Sequence, residues 1–270
     1  MSMLQNWMFN SGSVRSYWTR SKFQEEETFD NGKVVLTFDD GWLSVYNNAL
    51  PLLLEKDVKA TFYVAPGEFG GSANYLGTDY PIMTGENAVA MHEAGMDMQC
   101  HTNEFASMLI RTDEQLVASL TAVNNAFTAL GLPVPQHLAY PGGFFDDRVI
   151  NAIKDLRLTA RSITSEPMYR NSSRYDLRGI AINLDKATVK AAMDVAKANK
   201  SALILIGHMV NDTYPVLSIS SADLAELIDY GKAIGLDFET IKSLYDKMFY
   251  VDLRASRLGD DNQIDLTFNW

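Results

Sequence analysis

Lys33-Val34-Val35-Leu36-Thr37-Phe38-Asp39-Asp40-Gly41 decides how the rest of the chain reads. A short apolar run of this kind is a strand buried on both faces, the habit of parallel sheets covered by helices. It stops on Asp39-Asp40-Gly41, and a helical pattern follows over Leu43 to Glu55. The same alternation recurs downstream. Lys59 to Val64 is a second strand, stopped by Pro66-Gly67, and Met96 to His101 a third. His137 to Tyr140 is a fourth, leading into Pro141-Gly142-Gly143. Thr159 to Ile163 and Leu177 to Ile182 read as extended, and Ser201 to Ile206, the most apolar strand, ends in Gly207-His208.

The intervening helices carry their own punctuation. Thr84 with Asn87, and Thr112 with Gln115, have the spacing at which an N-cap and the third helical residue bond reciprocally. Leu116, Leu120, Val123, Phe127 and Leu130 then recur every three to four residues until Gly131 and Pro133 stop the helix. Asp185 opens a helix through Lys200, and Ser220 to Ile234 closes at Gly235, ahead of the segment Leu236 to Tyr245. Residues 67–82, rich in Gly, Tyr and Asp, read as a long surface loop. Strands alternating with helices predict β-α units around a parallel sheet. The expected division is an N-terminal extension over 1–31, a barrel over 32–248, and a C-terminal extension over 249–270 whose alternating pattern suits a strand or hairpin.

Composition narrows the partners. With 34 Asp and Glu against 23 Lys and Arg, the formal charge is −11. That balance argues against nucleic acid, whose phosphates require clustered cations. Cys100 is the single cysteine, so no intrachain disulfide forms. No stretch approaches the roughly 18 apolar residues of a membrane span, and Met1 to Phe9 lacks the basic start and apolar run of a signal peptide. Oligomeric state is not legible.

In a parallel barrel the reactive groups collect at the carboxyl ends of strands. Asp39-Asp40, His101, Pro141-Gly142-Gly143 and His208 all fall there by pattern. Two carboxylates and two imidazoles on one rim suit metal-assisted hydrolysis: one of each holds the cation, the second carboxylate takes a proton from water, and the second imidazole protonates the leaving group.

These residues carry a resemblance. Val34 to Gly41 resembles the first motif of the polysaccharide deacetylases, carbohydrate esterase family four. Cys100-His101-Thr102 resembles the second motif, Ala139-Tyr140-Pro141-Gly142-Gly143 the third, and Leu203-Ile204-Leu205-Ile206-Gly207-His208 the last. The order is right from about Lys33 to Tyr245. The resemblance implies an α/β fold, a distorted (β/α) barrel with fewer than eight regular strands. It also implies removal of N-acetyl groups, with O-acetyl as the alternative, from an N-acetylated glycan by means of a divalent metal, zinc. Residue by residue it makes Asp39 the base, Asp40 and His101 metal ligands, and His208 the acid. The N–H of Gly142 becomes a donor to the oxyanion.

Two departures accompany it. The family's second motif supplies another His four or five residues after the first, where this chain has Phe105 and Ala106. A catalytic zinc takes three protein ligands, so Glu104 is the candidate replacement, a solvated loop carboxylate being its alternative reading. A catalytically weak or inactive glycan-binding module is accordingly the rival function. Secondly, Ala139 stands where many members carry an Arg that orients the base, and Arg161 on the next strand is the candidate to reach Asp39 instead, an exposed structural Arg being its alternative reading. His92 reads as structural, and His137, at the start of its strand, belongs at the opposite rim. Cys100, next to an inward His101, packs behind the sheet with Met96 and Met98 as core. The aromatics Phe69, Tyr75 and Tyr80 suit either sugar stacking or ordinary packing.

Overall fold

The computed structural model describes residues 27–213 and 217–249. The strands in chain order are β1 (Lys33–Phe38), β2 (Thr61–Val64), β3 (Ser72–Tyr75), β4 (Thr78–Pro81), β5 (Asp97–Cys100), β6 (His137–Ala139), β7 (Thr159–Arg161), β8 (Gly179–Ala181), β9 (Ala202–Gly207), β10 (Met209–Val210), β11 (Ser218–Ile219) and β12 (Asp237–Glu239). The α-helices are α1 (Leu50–Glu55), α2 (Gly85–Glu93), α3 (Asp113–Ala129), α4 (Asp147–Ile153), α5 (Lys186–Asn199), α6 (Ser221–Ala233) and α7 (Ile241–Phe249). Seven parallel strands run β7-β6-β5-β2-β1-β9-β8, with β12 added beside the first half of β1. A parallel bridge between Arg161 and Leu177 draws the ends of this sheet together, giving a nearly closed, distorted barrel.

Strand parity builds two cores. Val34, Leu36, Phe38, Phe62, Val64, Cys100 and Leu138 face outward against Leu116, Leu120, Val123 and Phe127 of α3 and Leu224 and Leu227 of α6. Val35, Tyr63, Ala139, Ala202, Ile204 and Ile206 face inward, where Ile241, Leu244 and Met248 of α7 close the floor. Both faces of β1 are buried along its whole length, which is why it carries no polar alternation. The same parity turns Arg161, the last residue of β7, and Asp39, His101 and His208, each one residue past its strand, toward the barrel axis.

The caps fall where their spacing places them. Thr84 with Asn87 and Thr112 with Gln115 form reciprocal capping boxes, and Asp185 accepts from the Thr188 N–H. Two local expectations differ. The stretch read as a loop over 67–82 contains the β3–β4 hairpin, turned by Leu76 and Gly77, both at positive φ. Asn74 braces the turn, its Oδ1 accepting from the Gly77 N–H at 3.1 Å and its Nδ2 donating to Asp79 at 2.7 Å. A leucine in a left-handed position hides the usual Asn-Gly signal. The helix read over Leu43 to Glu55 contains a π-helical stretch, Val45–Ala49, just before Pro51, which brings no N–H to the helical ladder. Of the expected N-terminal extension only 27–31 is described. Its Phe29 is buried in the inner core, and its N–H donates to the Lys200 carbonyl at 2.8 Å. Of the C-terminal extension only Phe249, the last residue of α7, is described; the expected strand or hairpin lies outside the described residues.

His137 lies at the floor end of β6, away from the carboxyl rim. Its Nδ1 sits 2.9 Å from the Thr159 hydroxyl and its ring 5.4 Å from that of Tyr245. Burial, with the Lys242 and Arg157 charges, pushes its pKa down to about 4. The unfolded chain therefore takes up this proton near pH 6.5 and the native state only near 4, so stability falls as pH drops through that window. The contribution is on the order of 3 kcal/mol. His137→Gln, which takes up no proton, is expected to shrink the loss of unfolding free energy between pH 7 and pH 4.5 by about 2 kcal/mol in urea titrations. Equal losses in both proteins would remove His137 from the account.

Candidate active site

β1 ends at Phe38, and the chain must turn off the barrel rim at once. Asp40 and Gly41 do this with φ of 69° and 79°, a conformation that glycine adopts freely and aspartate tolerates. The turn is tied on its far side, where the Met83 N–H donates to the Gly41 carbonyl at 2.9 Å. Asp39 is thereby held over the axis and Asp40 to one side of it.

Asp39 is buried, and one of its carboxylate oxygens pairs with the guanidinium of Arg161. Its other oxygen, Oδ1, is buried without a hydrogen-bond partner, and Asp39 is among the residues lining the rim cavity. Arg161 is fully buried. It also donates to the Ser162 carbonyl at 3.1 Å, and its guanidinium lies 5.4 Å from the centre of the Tyr63 ring. The register pairs Arg161 with Ala139, so the small side chain on β6 stands directly beside the long one on β7.

His101 follows β5. Its Nδ1 lies 2.9 Å from the Ala139 carbonyl, an acceptor only, so Nδ1 carries hydrogen and Nε2 is turned toward Asp40 Oδ1 at 3.2 Å. Burial pushes the imidazole pKa down, but the Asp40 hydrogen bond and the Asp39 and Asp40 charges outweigh it and leave the pKa raised. Burial pushes the Asp40 carboxyl up. The His101 hydrogen bond, the His101 and His208 charges and the Trp42 indole bring it below its ordinary value. The indole matters geometrically as well, because Trp42 Nε1 donates to Asp40 Oδ2 at 2.9 Å. Each oxygen of Asp40 therefore has a neighbour, the indole N–H at Oδ2 and the His101 ring nitrogen at Oδ1.

A cavity of about 410 Å³ opens on this rim, within the range of small-ligand sites. Asp39, Asp40, His101, Arg161 and half-buried His208 line one end, with Gly142 and Gly143 beside them. Tyr75 and Asn74 from the hairpin, Ile163 and Leu217 form apolar and polar walls. Phe105 completes the wall next to Asp40, stacked on Trp42 with ring centres 6.5 Å apart. Of the loop aromatics, Tyr75 lines the cavity, whereas Phe69 and Tyr80 pack around Trp42. Trp42 is the participant that sequence reading missed. The available signal was an indole two residues beyond a carboxylate across a tight turn.

Glu104 does not join Asp40 and His101. Its carboxylate pairs with Arg111 and accepts from Ser119 Oγ at 3.4 Å, because Thr102, in a left-handed conformation (φ 63°), turns the chain after His101. Among the described residues no group of three or more His, Cys, Asp or Glu side chains is placed to hold a metal ion. Asp40 and His101 supply two donors, one short of a catalytic zinc centre, so the residues present do not fit a three-ligand metal.

Residues 26–161 match the polysaccharide deacetylase family profile. The chain belongs to the polysaccharide deacetylase family. It is 25% identical over 142 residues to the poly-β-1,6-N-acetyl-D-glucosamine N-deacetylase of Staphylococcus epidermidis, covering 49% of this chain and 48% of that one. The chain spans about half the length of the curated relatives it matches. Among solved structures it resembles the CE4 domain of a multidomain xylanase from the hindgut metagenome of Trinervitermes trinervoides (TM-score 0.56, 18% identity, 81% of this chain and 91% of that one). It also resembles a CE4 family pseudoenzyme from Bacillus anthracis (TM-score 0.58, 18% identity, 81% of this chain and 66% of that one). At these identities the structural likeness establishes the barrel. Family membership alone does not separate active from inactive members.

The Asp39–Arg161 pair has a measurable consequence for stability. Removing one partner of a buried pair strands the other charge, at a cost of about 3–5 kcal/mol. Arg161→Met is expected to lose about that much in chemical denaturation, and Asp39→Asn with Arg161→Met together to lose clearly less than the two single losses added. Additive losses would mean that the two groups do not interact.

Proposed function

We propose that the chain removes acetyl groups from an N-acetylated glycan bound in the rim cavity, with Asp39 as base and His208 as acid. The observation that carries this reading is the state of Asp39. It is a buried carboxylate fixed by Arg161 on one side and unpartnered at its other oxygen, and it lines a cavity together with His208 and Gly142. A buried acceptor left open costs stability unless something occupies it, and a water molecule between Asp39 and the acetamide carbonyl is the reading's occupant.

The chemistry then needs three acts from this chain. Asp39 takes a proton from water as the water oxygen adds to the carbonyl carbon. The N–H of Gly142 donates to the oxyanion that forms. His208 in its protonated form gives its proton to the sugar nitrogen as the C–N bond breaks, leaving acetate and a free amine. Arg161, a permanent cation, positions Asp39. No step is assigned to a cation, since the donors fall short of a three-ligand centre. N-acetylglucosamine is the sugar suggested by the staphylococcal relative's name, and Tyr75 offers a ring face for it to stack on.

The filled corner at Asp40 favours a second reading, in which the barrel binds the glycan without turning it over. Acetate release from N-acetylglucosamine oligomers, measured beside oligomer binding, separates the two. Under the enzyme reading Asp39→Asn and His208→Ala each lower acetate release by about 10²- to 10⁴-fold while oligomer binding persists. Binding by the unaltered protein with no acetate above background would establish the binding module.

A further inference from the structure

Phe105 lies four residues after His101, at a position where the resemblance places a second metal-binding imidazole. Its ring is neither buried away from the site nor swung into solvent. It is half-buried, lines the same cavity as Asp40 and His101, and lies nearly parallel to the Trp42 ring, 18° apart. Trp42 is itself buried, held from behind by Tyr80, whose ring meets it edge-on at 6.0 Å, and by a bridge to Ile82. That packing fixes the indole N–H on Asp40 Oδ2 at 2.9 Å while His101 takes Oδ1 at 3.2 Å.

We infer that this corner of the barrel is built to be stable without a metal: the Trp42 indole N–H occupies Asp40 Oδ2, and Phe105 fills the space of a third ligand. A bare carboxylate beside a neutral imidazole invites a cation. A carboxylate with one oxygen already accepting an indole N–H must give that bond up before both oxygens are free for a cation, and an aromatic wall offers no donor in exchange. The inner arrangement is otherwise suited to a metal, since the Ala139 carbonyl fixes Nδ1 as the protonated nitrogen and leaves Nε2 facing Asp40. A single side chain therefore separates a metal-free corner from a three-ligand one, whichever reading of the function holds.

The test is calorimetric titration of the purified chain with zinc chloride, paired with the visible absorption of the cobalt(II) form. The unaltered protein is expected to bind zinc at Asp40 and His101 no better than its Asp40→Asn variant does. Phe105→His is expected to raise zinc affinity by at least about 100-fold and to give cobalt(II) absorption, both lost again when Asp40→Asn is added. Trp42→Phe, which keeps the aromatic packing but removes the N–H, is expected to raise affinity by about 10-fold as Oδ2 is released. Phe105→Leu, which opens space without adding a donor, is expected to gain nothing. Stoichiometric, tight zinc binding by the unaltered protein that Asp40→Asn abolishes would overturn the inference. So would a Phe105→His protein with native circular dichroism and no gain. Should Phe105→His not fold, an absence of any gain in Trp42→Phe overturns it. Acetate release enters none of these readouts.

Discussion

The buried pair between Asp39 and Arg161 is the constraint from which the rim is organised. Two charges away from water repay their desolvation only when their geometry and their remaining hydrogen bonds are good. Here the guanidinium has the Asp39 carboxylate, the Ser162 carbonyl and the face of Tyr63. The pair also spans the barrel beside the seam of the sheet. Arg161 ends β7 and bridges to Leu177, just ahead of β8, while Asp39 follows β1 on the far side of the axis. An ion pair at the rim and an apolar plug from α7 at the floor thus hold one barrel at its two ends.

Most of the architecture was legible because parity and period leave little freedom once strands are buried on both faces. The run over Lys33–Phe38 required a covered parallel strand, and the cap spacings at Thr84, Thr112 and Asp185 fixed where helices begin. The hairpin over residues 72–81 was not legible. Its turn uses Leu76 where a glycine or asparagine would have announced it, and Asn74 supplies the compensation from outside the turn. Nor was the role of α7, since closing a barrel floor is a matter of what lies below the sheet and leaves only an amphipathic trace in sequence.

The site was legible by strand end and illegible by neighbour. Asp39, Asp40, His101, Gly142, Arg161 and His208 reach one cavity because each lies at or beyond the carboxyl end of a strand. The neighbours that set their chemistry come from other directions. Trp42 reaches back to Asp40 across a two-residue turn, and the Ala139 carbonyl orients His101 from the adjacent strand. Glu104 is adjacent in sequence and absent from the site, because the left-handed Thr102 redirects the chain and Arg111 claims the carboxylate.

The rim therefore divides into two halves of different character. On the Asp39 side a buried carboxylate is held by a permanent cation, with one oxygen left without a hydrogen-bond partner. On the Asp40 side the same kind of residue accepts an indole N–H and lies against an imidazole, with an aromatic ring closing the remaining space. Proton transfer and cation binding, which share this rim in the reaction the resemblance implies, rest here on separate sets of contacts. Phe105 and Trp42 make none of the contacts that fix Asp39 on Arg161, although the Asp39 charge reaches His101 and helps hold its imidazole pKa up. The support of the two halves is thus separate in its hydrogen bonds and shared in its charge, so a change at position 105 alters the wall beside Asp40 while the Asp39–Arg161 bond stays in place.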